Sequence, residues 1–339
     1  MKHKILPVFI SFAGCTSRCI YCNQSRITGV TPQNVIESAK QQIKEHLATA
    51  AQWTELAYFG GSFTCLPADI RKELYRLAHE SGISRLRFST SPDCIDEEIL
   101  DEAVANGVKV VELGVQSLDE TVLSANRRPY TEEECVTAFQ LIKNKIDTTG
   151  IQIMAGLYGE SFSSFSGTIE RACEMGADYA RIYPCVVLKD TELAGLYLSG
   201  RYRPLSLSEA VSRCAYGYIK LTAAGCNVIR MGLQDSASVK ESAIAGAYHP
   251  AMGEMAKTVV LLTYLSQGHK IYVEQKYLNT AYGYGGIVKN MFRDNIEIKE
   301  GARLDFKEIC RVILEDNQRE IQEQTAHFSE RLVGETNAG

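Results

Sequence analysis

The sequence predicts an α/β fold built from right-handed βαβ units around a parallel sheet. Three observations predict it. Short apolar runs of strand character alternate with segments of helical period six times within about 185 residues. Glycines stand where helices should stop, as at Gly107 and Gly176. After Lys189 the rhythm changes, which marks a smaller C-terminal α/β part. Six such units fit an incomplete (β/α) barrel with its site at the C-terminal ends of the strands. A doubly wound open sheet has the same alternation, so the pattern leaves both arrangements open.

Taken in order, residues 5–12 are a β-rich apolar run, 34–51 have helical spacing and 56–60 read as a short strand. A helix over 68–79 and an alternating strand over 84–90 follow. The next pair is a helix over 96–106, stopped by Gly107, and a strand over 108–115. A helix over 131–145, a strand over 151–156, a helix over 165–175 and a strand over 179–184 complete the run. Beyond it, 191–199, 208–224 and 253–265 read as helices, and 228–231 and 270–274 as strands. Residues 306–327 read as one charge-rich helix, and 277–286 as a loop of Tyr and Gly.

The chain has 339 residues, 45% hydrophobic and 23% charged, enough to bury a core and too apolar for a disordered or low-complexity chain. Its net charge of −5 argues against polyanion binding over the whole surface but leaves room for a local basic groove. No apolar run reaches the roughly 18 residues that span a bilayer. The N-terminus carries Lys2 and Lys4, but Pro7 and Ser11 break the apolar run too soon for a secretory signal. A cytoplasmic protein with reduced thiols and no membrane partner is therefore expected.

Eleven cysteines are too many to ignore and odd in number, so complete pairing within the chain is impossible. Cys15, Cys19 and Cys22 form a CxxxCxxC directly after the first strand, while the other eight are scattered. Three thiolates so close on one loop can hold three corners of a [4Fe–4S] cube and leave the fourth iron open to a ligand. The alternative is a structural zinc site. Zinc in such sites takes four ligands, and here no second close cysteine pair exists and no histidine is near in sequence.

The CxxxCxxC, with Tyr21 just before the third cysteine and at the end of the first strand of a β/α run, resembles the radical S-adenosylmethionine superfamily. The resemblance implies a partial (β/α)6 TIM-type barrel over 1–190, with a smaller α/β extension over 191–339 closing it. It implies that Cys15, Cys19 and Cys22 ligate the cluster. S-adenosylmethionine then chelates the open iron and is cleaved reductively to a 5′-deoxyadenosyl radical. Gly60, Gly61 and Ser62 sit where the family has a Gly-Gly-Glu-type turn for the methionine amino group, with glycines that let a ligand approach the backbone. Gln116, in GVQS, and Arg127 resemble cofactor contacts of the coproporphyrinogen-dehydrogenase and Elp3-like branches; a guanidinium fork suits the methionine carboxylate. Ser89 ends the third strand, and Gln152 and Met154 lie on the fifth, where relatives contact the ribose and adenine of the cofactor; the plainer reading of the last two is barrel lining and core.

Over roughly residues 5–205 the sequence looks most like Elp3-like proteins without their acetyltransferase domain. The porphyrin branch has a further cysteine two after the third, where this chain has Asn23 and Gln24. The resemblance implies RNA modification, with tRNA as substrate, and a flavodoxin- or ferredoxin-type electron donor. The rival readings are an enzyme acting on a tetrapyrrole or other small metabolite, and a non-catalytic heme-binding chaperone. Three departures lie at the expected barrel mouth. Ser91 stands where relatives commonly have Arg, residues 127–131 read RRPYT where they have RGHT, and 154–160 read MAGLYGE where they have MPGLPG.

Cys65, Cys94 and Cys185 closely follow predicted strands and so belong at the rim. A rim thiol can donate hydrogen to a substrate radical, but the plainer expectation for each is a small buried hydrophobe. Tyr277, Tyr282 and Tyr284, flanked by Lys276 and Lys289, could stack on bases and meet phosphate, against the plainer reading of an aromatic-anchored loop. His249 is expected to be a satisfied structural residue, and 307–331 a solvated helix face.

Overall fold

The computed structural model describes residues 4–23, 34–317 and 319–337; Lys2, Gln24 and Gln318 lie outside the described residues. The described elements begin with β1 (Ile5–Phe9), α1 (Val35–Leu47), β2 (Glu55–Phe59), α2 (Ala68–Glu80), β3 (Leu86–Thr90) and α3 (Glu97–Ala105). They continue with β4 (Val108–Gln116), α4 (Glu120–Ala125), α5 (Glu132–Lys145), β5 (Thr148–Ala155), α6 (Phe162–Met175) and β6 (Tyr179–Pro184). Next come β7 (Val186–Leu188), α7 (Glu192–Leu198), α8 (Leu207–Ala223), β8 (Asn227–Met231), α9 (Ala237–Ser242) and β9 (Ala243–Gly246). The last are α10 (Met252–Ser266), β10 (Ile271–Val273), α11 (Leu278–Tyr282), α12 (Ile287–Phe292), β11 (Ile296–Ile298), α13 (Phe306–Asn317) and α14 (Ile321–Asn337). All six strands of the expected alternation are present.

The chain packs as two units that interleave along the sequence. The first is Met1–Ile153, Leu188–Arg201 and Ser236–Ile244; the second is Met154–Val187, Tyr202–Asp235 and Ala245–Gly339. In the first unit the parallel strands follow the strict order β1-β2-β3-β4-β5. A doubly wound sheet reverses its order at a switch point, so this sequential order is that of a barrel wall. Period-two alternation sorts the strand residues. Leu56, Tyr58, Leu86, Phe88, Val111 and Leu113 are buried on the apolar face. There Phe63 stacks between Tyr58 and Phe88. The other face is polar. Glu55 is buried and pairs with Arg85 at 2.7 Å and Arg87 at 3.1 Å, and Ser89 Oγ donates to Glu112 Oε1 at 3.3 Å.

In the second unit β6 pairs with β8 in parallel, and α8 packs on α6, α10, α13 and α14. Gly217 lets α8 approach closely, since a Cβ there would lie 2.8 Å from Ile182 Cδ1. At the MAGLYGE turn, buried Glu160 pairs with Arg213 and accepts from the Gly156 N–H. Tyr202 Oη donates to Gly156 O at 2.5 Å.

Helix starts match their signals. Thr131, Ser161 and Ser206 form capping boxes with Glu134, Ser164 and Glu209. Several expectations are corrected. The apolar run 5–12 stops as a strand at Phe9, because the backbone turns and Phe12 takes φ 59°. The loop over 277–286 is largely helical: α11 runs to Tyr282, and Gly283, at φ 72°, only redirects it. The single helix 306–327 is two, α13 and α14. Their apolar residues, among them Ile313, Ile321 and Leu332, are buried, so only part of 307–331 is a solvated face. The short helix α4, capped by Asp119, had no period long enough to read.

Candidate functional site

The three-cysteine loop leaves β1 and closes on the turn that ends β2. Ile10 N–H donates to Phe59 O at 2.8 Å, Phe12 N–H to Gly60 O at 2.9 Å, and Ser62 N–H to Ala13 O at 2.9 Å. Two glycines make this backbone-on-backbone packing possible. At Gly14, with φ 74°, a Cβ would fall 2.1 Å from Ser62 O; at Gly61 it would fall 2.4 Å from Ala13 O and 2.6 Å from Ile10 O. The Gly61 requirement thus has a packing cause in the chain itself. Gly60 has φ 83°, and Ser62 is buried.

Each cysteine of the loop has a distinct setting. Cys15 is exposed, with Sγ 3.8 Å from Ser62 Oγ. Cys19 is half-buried, and Arg128 Nη1 donates to its Sγ at 3.0 Å. Cys22 is half-buried, and its N–H donates to Cys19 O at 3.1 Å. The Tyr21 hydroxyl is buried with no hydrogen-bond partner among the described residues. Burial, then the nearby Cys19 sulfur, holds its phenol well above the usual range. Other ties fix the loop. Thr16 Oγ1 donates to Asp93 Oδ2 at 2.6 Å, Ser17 Oγ to Arg127 O at 2.8 Å, and Leu193 N–H to Ile20 O at 2.8 Å.

Two neighbouring arginines divide the work. Arg127, with φ 55°, is exposed and pairs with Glu192 at 2.8 Å. Arg128 turns inward and also donates to Ser91 Oγ at 3.2 Å, Gly114 O at 3.0 Å and Tyr130 Oη at 2.9 Å. Two departures from the family pattern, Ser91 and the 127–131 loop, therefore meet in space. Gln116 follows a register shift in β4, takes φ 59°, and accepts from Gln152 Nε2 at 3.1 Å. Ser89 sits beside Glu112, and Met154 is buried and belongs to the second unit.

Among the rim cysteines, Cys65 and Cys94 are joined in a disulfide, which overturns the expectation of isolated thiols. Both end 3-10 turns that follow adjacent strands, Phe63–Cys65 after β2 and Pro92–Cys94 after β3, so parallel pairing brings them together. Cys185 is buried, and burial pushes its thiol up to about 12, as a small buried hydrophobe requires. His249 Nδ1 accepts from Ala251 N–H at 3.1 Å and its ring edge meets Tyr284, a structural setting. In the second unit lysines lie over the rings of buried Tyr216 and Tyr218 and of three tyrosines that are not buried. Lys276 covers Tyr277 at 5.1 Å, Lys289 covers Tyr282 at 5.1 Å and Lys299 covers Tyr272 at 5.6 Å. Tyr272 and Lys299 went unnoticed in the sequence because they lie on β10 and just beyond β11, which pair only in the fold. Arg128 registered only as a departure.

The sequentially ordered parallel strands and the cysteine loop at the end of the first define a radical SAM fold. The chain matches the radical SAM superfamily over residues 9–172 and the radical SAM C-terminal domain over 177–259, and it belongs to this superfamily of enzymes. Its relatives within it include proteins of the Elp3 type. It is 30% identical over 229 residues to Methanocaldococcus jannaschii protein MJ0486, covering 62% of this chain and 70% of that one. It is 29% identical over 134 residues to the tRNA uridine(34) acetyltransferase of the same organism, covering 39% of this chain but only 25% of that protein. The Methanocaldococcus infernus Elp3 structure superposes with a TM-score of 0.56 at 18% identity, covering 82% of this chain and 68% of that one. That likeness gives the fold, a partial TIM-type barrel. Among the described residues no helix is long and apolar enough to cross a membrane.

Proposed function

We propose that the protein binds a [4Fe–4S] cluster and S-adenosylmethionine and modifies RNA, with tRNA the preferred substrate. The observation that carries the cofactor part is the all-sulfur donor set on one loop, closed onto the Gly60–Ser62 turn. Sulfur donors with no carboxylate among them suit iron–sulfur chemistry, and the Tyr21 hydroxyl, buried without a partner among the described residues, leaves a polar atom for a further ligand. Cys15, Cys19 and Cys22 would hold the cluster. Tyr21, Gly60, Gly61, Ser62, Ser89, Gln116, Arg127 and Gln152 would position the methionine cofactor. When bound, the pair supplies a 5′-deoxyadenosyl radical, after one electron arrives from a flavodoxin- or ferredoxin-type donor.

The substrate part is supported by relatives named as tRNA-modifying proteins. They include a Wolinella succinogenes tRNA-2-methylthio-N(6)-dimethylallyladenosine synthase, 31% identical over 172 residues. It is also supported by the three lysine-covered tyrosines, since aromatic faces stack on bases and lysines meet phosphate. The test is anaerobic. Protein reconstituted with iron and sulfide is given S-adenosylmethionine and dithionite, and 5′-deoxyadenosine is measured beside Cys19→Ala. Formation by the wild type alone is expected. Deuterium transfer from labelled tRNA into 5′-deoxyadenosine then identifies the substrate. A loaded wild type that forms none, with or without tRNA, overturns the reading.

A further inference from the structure

The geometry points to Arg128 as the fixed counter-charge of the cluster, acting through Cys19 and setting the reduction potential. The inference rests on the cluster reading above and adds a role for a residue that reading does not use. Among the described residues the hydrogen-bond partners of the Arg128 guanidinium are a sulfur and neutral oxygens: Cys19 Sγ, Ser91 Oγ, Gly114 O and Tyr130 Oη. Among the described residues no carboxylate pairs with it, whereas adjacent Arg127 has Glu192. A guanidinium taken partly out of water without an anion is unfavourable. Among its described partners, the Cys19 sulfur is the one that would become an anionic cluster ligand.

The fork is aimed rather than adventitious. Its ring neighbour Tyr130 lies 4.8 Å beneath it, and the Tyr130 hydroxyl donates to Gly114 O at 2.7 Å. Gly114 O thus receives both the Arg128 Nη2 and the Tyr130 hydroxyl, which ties the fork and its ring to one carbonyl. One electron entering a cluster makes it more negative by one charge. A guanidinium fixed at a ligand sulfur favours that reduced state, both as a charge and as a hydrogen-bond donor. Arg128 is thus a positioning residue that makes reduction by a flavodoxin- or ferredoxin-type donor easier.

The test compares wild type, Arg128→Lys and Arg128→Gln after anaerobic reconstitution. Iron and sulfide are counted, and the midpoint potential is read by redox titration with electron paramagnetic resonance. The glutamine variant keeps a donor but loses the charge, so its potential should shift to more negative values, while lysine should restore most of the shift. A folded glutamine variant that loses the cluster while the lysine variant keeps it reads the same charge requirement at assembly. Glutamine titrating with wild type, lysine shifting as far as glutamine, or loss of the cluster from both overturns the inference. A wild type that assembles no cluster would instead sink the cofactor reading beneath it.

Discussion

A glycine whose missing Cβ is replaced by a neighbour's backbone cannot be relieved by moving a side chain. Gly61 is such a residue, with Ala13 O and Ile10 O in the space a Cβ would take. Gly61→Ala should destabilise the first unit by about 1–3 kcal/mol, seen as a lower urea midpoint, and should lower iron loading because the cysteine loop loses its seat. The control is Gly167 in α6, where a Cβ would meet nothing within 4 Å. Gly167→Ala should leave iron loading alone and stabilise by about 0.5–1 kcal/mol. An iron-loading loss in the control, or none in Gly61→Ala, would sever the link between turn and loop. The Gly-Gly-Ser turn was legible in the sequence, because its place at a strand end is local. Its packing partner was not, since nothing in the residues near Gly61 announces Ala13. The same limit hid Arg128, which lies 109 residues from Cys19.

At the scale of elements, what was legible is what is local in sequence: the six strands, the helix caps and the CxxxCxxC loop. The Cys65–Cys94 disulfide spans 29 residues and follows from the parallel pairing of β2 with β3, which no single segment encodes. Closing a loop of this size should stabilise by roughly 2–4 kcal/mol. Cys94→Ser should show that deficit in urea unfolding under oxidising conditions, and the deficit should vanish when both proteins carry reduced thiols. The start of α8 carries a second prediction. Arg203, then the Ser206 backbone and hydroxyl, hold the Glu209 carboxyl down to about 2. A carboxyl lowered in the folded state stabilises above its unfolded pKa, and the gain is lost as pH falls through the folded one. Because the pair is partly exposed, the effect should be about 1 kcal/mol. Glu209→Gln should thus be less stable than wild type at pH 7, and the gap should close between about pH 4 and pH 2. A gap that stays constant with pH would mean the cap acts by shape alone.

For the whole molecule, a net charge of −5 and the proposed RNA substrate pull in opposite directions, so on that proposal binding is local. The proposal assigns it to the lysine-covered tyrosines of the second unit. Tyr272 is 43% exposed and available for stacking. Part of the lysine charge is already spoken for, since Lys276 pairs with Glu274 at 2.5 Å. Affinity for RNA should therefore be modest and steeply dependent on salt. Each lysine that meets a phosphate of a single strand contributes about 0.7 to the slope of log affinity against log salt. Replacing Lys276, Lys289 and Lys299 together by glutamine should lower that slope by about 2, measured by filter binding of tRNA at several salt concentrations. Tyr272→Ala should weaken binding by about 1–3 kcal/mol while leaving the slope alone, because stacking releases no counterions. The two signatures are independent, which makes the pair decisive. A slope unchanged by the triple replacement would move the RNA contact off this surface, and a Tyr272 effect confined to the slope would mean that the ring only holds its lysine in place.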